Sequence, residues 1–211
     1  FWYGIGVVLI TLVIRLDSDQ LRKISWYTYV IGNILLLLLI LAPSSIAPEI
    51  NGAKSWFVFP FIGSLQPSEL MKIFLIITLA NVIATHHTKN VVKTVESDFK
   101  LLFKLCVITG VPLLLVMQQP DLGTSLVLLA ILAGMIFASG ITWKIILPIF
   151  GTVTAGGGLI LLLVIKFPEV LEKYLGVKEY QLGRIYSWLK PYDYESSTGY
   201  HLIKSLLAIG S

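Results

Sequence analysis

The chain of 211 residues is 56% hydrophobic and only 13% charged, with a formal net charge of +4. A soluble domain carries about 25% charged residues, so this composition excludes an ordinary water-soluble protein. Several stretches approach the ~20 apolar residues that span a bilayer core, which predicts one helical membrane domain over residues 1–211. The single cysteine, Cys106, excludes an intramolecular disulfide.

Seven apolar runs follow one another along the chain. Each predicts a membrane-spanning helix, because backbone polar groups in lipid must be satisfied within their own segment. The chain opens inside the first run without a methionine and stops inside the last, so we expect it to be truncated at both ends. The runs are residues 1–16, 26–42, 70–84, 101–117, 122–139, 145–165 and a segment that begins near residue 201.

The basic residues are concentrated on alternate loops. The short loops on one side contain only Lys54, and the positive-inside rule therefore places the other side in the cytoplasm. Residues 166–200 then form a long extracellular loop with amphipathic segments, which fits either an interfacial helix or a platform that guides a lipid-linked substrate. The loops assigned to the cytoplasm contain Arg15, Arg22, Lys23, Lys89, Lys93, Lys100, Lys104 and Lys144.

Two charges stand at the start of the third apolar run. Glu69 and Lys72 are three residues apart, so they are neighbours on one helix face. An isolated charge at mid-membrane costs roughly 2.5–3.5 kcal/mol, and such residues usually pair and face the protein interior. The pair predicts either a structural salt bridge near the outer interface or a functional polar site.

The same Gln-Pro-polar sequence opens two helices on the outer side. It occurs as Gln66-Pro67-Ser68-Glu69 and again as Gln119-Pro120-Asp121. Proline is pre-organised for the first position of a helix, and an acidic residue in the first turn is favoured by the helix dipole. Capping alone would explain Asp121, but the repeated pattern predicts that the two helix starts point polar side chains at one outward-facing region.

Further cations lie on the predicted outer side. Lys54 beside Trp56 suits an interfacial anchor or a contact to a lipid-linked phosphate, and Arg184 and Lys190 in the long loop allow the same interpretation. The adjacent His86 and His87 have no third ligand nearby, so no metal site is predicted. The sequence contains no nucleotide-binding fingerprint, and we expect no nucleic-acid partner.

These outer segments, in this order, resemble the shape, elongation, division and sporulation (SEDS) family, of which RodA and FtsW are the best-known members. The resemblance covers nearly the whole chain, and the pair of Gln-Pro motifs is its most specific part. The matching segments are Asn51-Gly-Ala-Lys-Ser-Trp56, Gln66-Pro-Ser-Glu-Leu-Met-Lys72, Gln119-Pro-Asp-Leu-Gly-Thr124, Arg184-Ile-Tyr-Ser-Trp-Leu-Lys-Pro191 and residues 199–211.

The resemblance implies an all-α, ten-helix protein of the bacterial cytoplasmic membrane, of which about seven helices are present here. It further implies a peptidoglycan glycosyltransferase that polymerises lipid II into nascent glycan beside a class B penicillin-binding protein, other cell-shape proteins and membrane lipids. The family's likeliest catalytic base is an Asp that we expect beyond Ser211.

By the same resemblance, the residues at motif positions are candidates for the site. Glu69, Lys72 and Asp121 are expected to shape it, and a divalent cation could bridge Asp121 to the diphosphate, although no complete metal site is present. The expected substrate-binding residues are Lys54, Trp56, Gln66, Ser68, Gln119, Thr124, Arg184 and Lys190.

Two other functions remain open at this point. A lipid II flippase would also use paired charges in a polar cavity, although it needs access from both leaflets. A membrane scaffold for a penicillin-binding protein would tolerate neutral replacements at Glu69 and Asp121. Overall likeness favours the RodA-like elongation branch, which acts in rod shape, over the division and sporulation branches.

Overall fold

The computed structural model describes residues 2–15, 17–49, 53–59, 63–90, 92, 94–166, 192 and 200–210. Two compact units divide the chain, residues 1–146 and 147–211, and each is treated separately. Arg184, Lys190 and nearly all of the predicted extracellular loop lie outside the described residues. Whether the chain forms a single membrane domain stays a prediction.

The predicted helical membrane fold is confirmed. Among the described residues, α2, α3 and α4 are each long and apolar enough to cross a membrane, and α5 and Trp143–Leu159 of α6 are shorter apolar helices. Each of the seven predicted runs corresponds to one helix. These are α1 (Trp2–Ile14), α2 (Ser18–Leu41), α3 (Pro67–Lys89), α4 (Val95–Met117), α5 (Leu122–Ala138), α6 (Trp143–Lys166) and α7 (Tyr200–Gly210).

Helix α3 packs against α2, α4 and α5 in the first unit. Its contact with α2 is close because Gly32 of α2 has no side chain. A Cβ atom built there would lie 2.5 Å from Met71 Sδ and 3.0 Å from Phe74 Cδ2. Leucines fill the remaining space, and those with no exposed surface are Leu36, Leu39, Leu75, Leu79, Leu101, Leu105 and Leu128.

A short β-hairpin is the part of the fold that the all-α prediction missed. Strands β1 (Phe57–Phe59) and β2 (Gly63–Leu65) pair antiparallel, with Phe57 opposite Leu65. The Val58 N–H also donates to the Ile46 carbonyl at 2.9 Å, which holds the hairpin against the turn that follows α2. Three-residue strands are too short to show a recognisable alternation of polar and apolar residues.

The first unit has two polar ends. At one end, which we call the motif end, Gln66 at the start of α3 contacts Asp121 at the start of α5. At the other, which we call the basic end, His86 in the last turn of α3 contacts Ser97 at the start of α4. The loops predicted to face the cytoplasm include those of the basic end, and the orientation of the two ends in the membrane stays a prediction.

The second unit is described only in part. It contains the remainder of α6 and the short helix α7, in which Ile203 is buried. The Lys204 ammonium lies 5.5 Å from the centroid of the Tyr200 ring, a cation–π distance.

Candidate functional site

The site begins at the N-terminus of α3. Gln66 is the capping residue and Pro67 is the first helical residue, as the sequence predicts. Pro67 and Ser68 are buried, and the Glu69 N–H donates to the Gln66 carbonyl at 3.1 Å. The first turn of α3 is therefore fixed in position, with Glu69 on its exposed side.

Glu69 and Lys72 form the predicted ion pair. Glu69 Oε2 lies 2.7 Å from Lys72 Nζ, and the two side chains are 56% and 23% exposed. Because both groups reach the surface of the described structure, neither is an isolated charge in the core. The exposed carboxylate is able to meet a ligand while the half-buried ammonium stays beside it.

Asp121 caps helix α5 with its side chain. Asp121 Oδ1 accepts from the Thr124 N–H at 3.0 Å, and Asp121 Oδ2 accepts from the Thr124 hydroxyl at 2.8 Å. The prediction that Pro120 occupies the first helical position is wrong, because α5 begins at Leu122 and Asp121 is its capping residue. Aspartate is among the preferred capping residues, and this preference sets the start of the helix after the proline.

The two Gln-Pro segments meet through a hydrogen bond. Gln66 Nε2 donates to Asp121 Oδ2 at 3.1 Å, across 55 residues of sequence. The carboxylate thus accepts from three donors, which leaves about one of its four acceptor positions for anything else. In this arrangement Asp121 is a positioning group that joins the starts of α3 and α5.

Two other predicted contact residues are buried behind this link. The Gln119 side chain is 1% exposed, and its Nε2 donates to the Leu36 carbonyl at 3.3 Å. Gln119 Oε1 and Ser68 Oγ are buried without a hydrogen-bond partner in the described part of the chain. Their expected role in substrate binding stays a prediction, and the structure places both inside the protein.

Lys54 is engaged with the end of α2. Its ammonium donates to the Ile40 carbonyl at 3.1 Å and also to the Ala42 carbonyl. These carbonyls belong to the last turn of α2 and to its capping residue, where cations are favoured by the helix dipole. One of the three ammonium hydrogens remains available. Trp56 is half-buried and directly precedes β1.

The described residues of the motif end do not form a complete metal-binding site. Among the described residues, no group of three or more His, Cys, Asp or Glu side chains is arranged to hold one. Asp121 would contribute one carboxylate at most, so a cation bound there would need further ligands from the substrate or from outside the described residues. The arrangement instead offers a carboxylate–ammonium pair beside a hydrogen-bonded helix junction.

Sequence reasoning missed a polar cluster that joins α2 to α3. The Thr78 hydroxyl donates to the Ser25 carbonyl at 3.0 Å, and Asn81 Nδ2 donates to Ser25 Oγ at 2.8 Å. Small polar residues within apolar helices are the signal, since such residues hydrogen-bond between membrane helices.

Comparison with known proteins gives a consistent result over the whole chain. The family model described as "Cell cycle protein", which covers FtsW, RodA and SpoVE, matches residues 1–211. A probable peptidoglycan glycosyltransferase FtsW of Hydrogenovibrio crunogenus is 27% identical over 210 residues, which cover 100% of this chain and 48% of the relative. That of Allochromatium vinosum is 32% identical over 180 residues, 85% of this chain and 40% of the relative.

A solved structure is similar as well. It is described as "Structural coordination of polymerization and crosslinking by a peptidoglycan synthase complex", and it superposes with a TM-score of 0.63 at 27% identity. The match covers 99% of this chain and 55% of that one. The chain thus spans about half the length of the curated relatives it matches.

Proposed function

Because the chain belongs to the cell cycle protein family of FtsW, RodA and SpoVE, we propose that it is part of a peptidoglycan glycosyltransferase. The reaction is the polymerisation of lipid II into glycan strands at the outer face of the cytoplasmic membrane. The observation that carries the proposal is the Gln66–Asp121 hydrogen bond, which brings the two most specific family motifs together at the motif end. The charge distribution predicts that this end faces outward.

The chemistry of glycan polymerisation assigns roles to these residues. The C4 hydroxyl of one substrate attacks the anomeric carbon of the other, and the lipid diphosphate leaves with the bonding electrons. A general base takes the hydroxyl proton, and cations stabilise the departing diphosphate. We place the base in an Asp beyond Ser211.

Within this chain the charged pair and the helix junction have different tasks. Lys72 is the cation nearest the junction on α3, and Glu69 beside it holds the ammonium in place at 2.7 Å. Asp121 fixes the spacing of α3 and α5. Lys54, Trp56, Arg184 and Lys190 are proposed contacts to the diphosphate or sugar, and a divalent cation at Asp121 belongs to the same proposal.

For the cellular role we give more weight to the names of the relatives than to the overall likeness of the sequence. The relatives named FtsW support a division role over the elongation role predicted from sequence. Complementation separates the two. Rescue of division in FtsW-depleted cells supports the division role, whereas rescue of rod shape alone in RodA-depleted cells supports the elongation role.

The chain is a multi-pass protein of the cytoplasmic membrane. The similar solved structure belongs to a peptidoglycan synthase complex in which polymerization and crosslinking are coordinated. We therefore propose a class B penicillin-binding protein as partner, with lipid II and nascent glycan as ligands and other cell-shape proteins nearby.

The decisive experiment uses the complete protein. It would be purified with its penicillin-binding partner, whose transpeptidase is blocked, and supplied with fluorescent lipid II. We expect glycan chains from the native protein and from Asp19→Asn, which removes an exposed carboxylate in the first turn of α2. We expect strongly reduced chains from Asp121→Asn. The amide has no negative charge and one acceptor oxygen instead of two, so the bonds from Gln66 Nε2 to Oδ2 and from the Thr124 N–H to Oδ1 cannot both be kept as they stand.

Other outcomes point to the alternatives. Movement of lipid II across vesicle membranes without polymer formation would contradict the polymerase function and indicate a flippase. Full complementation by an Asp121→Asn protein that makes no polymer would indicate a scaffold.

A further inference from the structure

A cavity with both polar and apolar walls lies at the basic end, away from the motif end. It has a volume of about 370 Å³. It opens between α2, α3 and α4, and the residues at its wall include Trp26, Asn81, His86, Lys89, Asn90 and Lys104. None of these residues takes part in the glycosyltransferase site proposed above.

The cavity wall carries positive charge. Lys89 and Lys104 both line it, and no carboxylate is present among the described residues of the wall. In the described part of the chain, neither of these ammonium groups has a hydrogen-bond or ion-pair partner. Lys100, which lies on α4 with Lys104, is different because its ammonium forms an ion pair with Glu96 at 2.6 Å. The two cavity lysines are therefore available to an anion.

Nearby polar groups are held in place by the protein itself. Asp98, which is 2% exposed, accepts from the Thr142 N–H at 2.9 Å. His86 contacts Ser97 Oγ at 2.9 Å, and Asn90 Nδ2 donates to the His86 carbonyl at 3.0 Å. Hydrogen bonds therefore fix His86 and Asn90 of the wall, whereas no carboxylate of the described wall neutralises Lys89 and Lys104.

The surroundings of the cavity favour a lipid over a soluble anion. Val82 and Ile108 give it an apolar side, and Trp26, which is 47% exposed, lies at its rim. Tryptophan is enriched at the depth of lipid headgroups, and the positive-inside rule places this end at the inner leaflet. Basic pockets between membrane helices on the cytoplasmic side suit anionic headgroups.

We propose that this cavity binds the phosphate headgroup of an anionic phospholipid of the inner leaflet, with Lys89 and Lys104 as the phosphate contacts. The acyl chains would lie along Val82, Ile108 and the indole of Trp26. This proposal is independent of the reaction at the motif end.

The test measures lipid preference at Trp26. The complete protein is reconstituted in nanodiscs of phosphatidylcholine that contain dibrominated phosphatidylglycerol or dibrominated phosphatidylcholine. The difference in quenching between the native protein and Trp26→Phe gives the signal of the Trp26 indole alone. We expect stronger quenching by the brominated phosphatidylglycerol in the native protein.

Matched variants assign the preference to the cavity. A lysine beside the bound anionic headgroup contributes about fivefold in binding, so Lys89→Gln with Lys104→Gln should lower the preference about 25-fold. Lys23→Gln with Lys100→Gln removes the same charge outside the cavity and should keep it within about twofold. Lys89→Arg with Lys104→Arg keeps both charges and should also preserve the preference, which controls for folding.

Three results would overturn the proposal. One is an equal loss in both pairs of glutamine variants, which indicates a general surface charge effect. The second is the absence of any preference in the native protein. The third is loss of the preference with inorganic phosphate at an ionic strength where chloride has no effect, which would assign the cavity to a soluble phosphate.

Discussion

Gln66 and Asp121 are each the capping residue of a membrane helix, and a hydrogen bond of 3.1 Å joins the two caps. The carboxylate that caps the backbone of α5 is thereby also the acceptor that fixes the start of α3. A change at either residue acts on two helices at once, and this coupling can be measured.

A double-mutant cycle tests the joined caps. Asp121→Ala should lower the free energy of unfolding by about 1–2 kcal/mol, because α5 loses its cap. Combined with Gln66→Ala, the cycle should give a coupling energy of about 1 kcal/mol. The measurement is reversible unfolding in mixed micelles. Gln118→Ala, an exposed glutamine beside the motif, should show no coupling, and additivity at Gln66 would contradict the link.

Glu69→Gln separates chemistry from stability. An exposed ion pair contributes about 0–1 kcal/mol, so the free energy of unfolding should change little. We expect the rate of glycan formation to fall at least about tenfold, which is the effect of about 1.4 kcal/mol on a barrier. Glu96→Gln breaks the exposed pair with Lys100 at the basic end and serves as the control. Unchanged polymerisation by Glu69→Gln would remove the pair from the site.

Lys54→Met tests the engaged ammonium. It keeps the length of the side chain but removes the two hydrogen bonds to the end of α2. Because hydrogen bonds to charged groups contribute about 1.5–3 kcal/mol, the thermal midpoint should fall clearly. The dependence of the polymerisation rate on lipid II concentration shows whether the third ammonium hydrogen also contributes to substrate binding. A rise in KM without a change in the midpoint would assign Lys54 to the substrate alone.

Gly32→Leu tests the close contact of α2 and α3. The added side chain would collide with Met71 and Phe74, and overpacking of this kind costs about 1–3 kcal/mol. Gly110→Leu in α4 is the matched control, because apart from the adjacent residues and the nearby backbone of its own helix no atom of the described structure lies within 4 Å of its added Cβ. Equal thermal midpoints for the two variants would show that α2 and α3 accommodate the larger side chain without a loss of stability.

The helices could be predicted from sequence because apolar length is a local property. Each run from α2 to α6 contains enough apolar residues to require internal backbone hydrogen bonding in lipid. The pairing of Glu69 with Lys72 was also local, since a spacing of three places both on one face. The Gln-Pro pattern predicted a shared region for Gln66 and Asp121, but not the hydrogen bond between them.

What could not be predicted depends on contacts between distant segments. The hairpin needs Ile46 as a partner for Val58, and the position of Lys54 needs the carbonyls of Ile40 and Ala42. The start of α5 was misplaced because proline and aspartate compete for the same few positions, and the side-chain contacts of Asp121 decide between them.

The distance of 55 residues between Gln66 and Asp121 also has a consequence for biosynthesis. At a synthesis rate of about 5–20 residues per second, the partner of Gln66 is made roughly 3–11 s after it. Until Asp121 is made, the start of α3 lacks this partner, whereas the residues that join α3 to α2, Gly32 and Thr78 among them, are already in the chain. We therefore expect the contact of α2 with α3 to form before the hydrogen bond that joins the starts of α3 and α5.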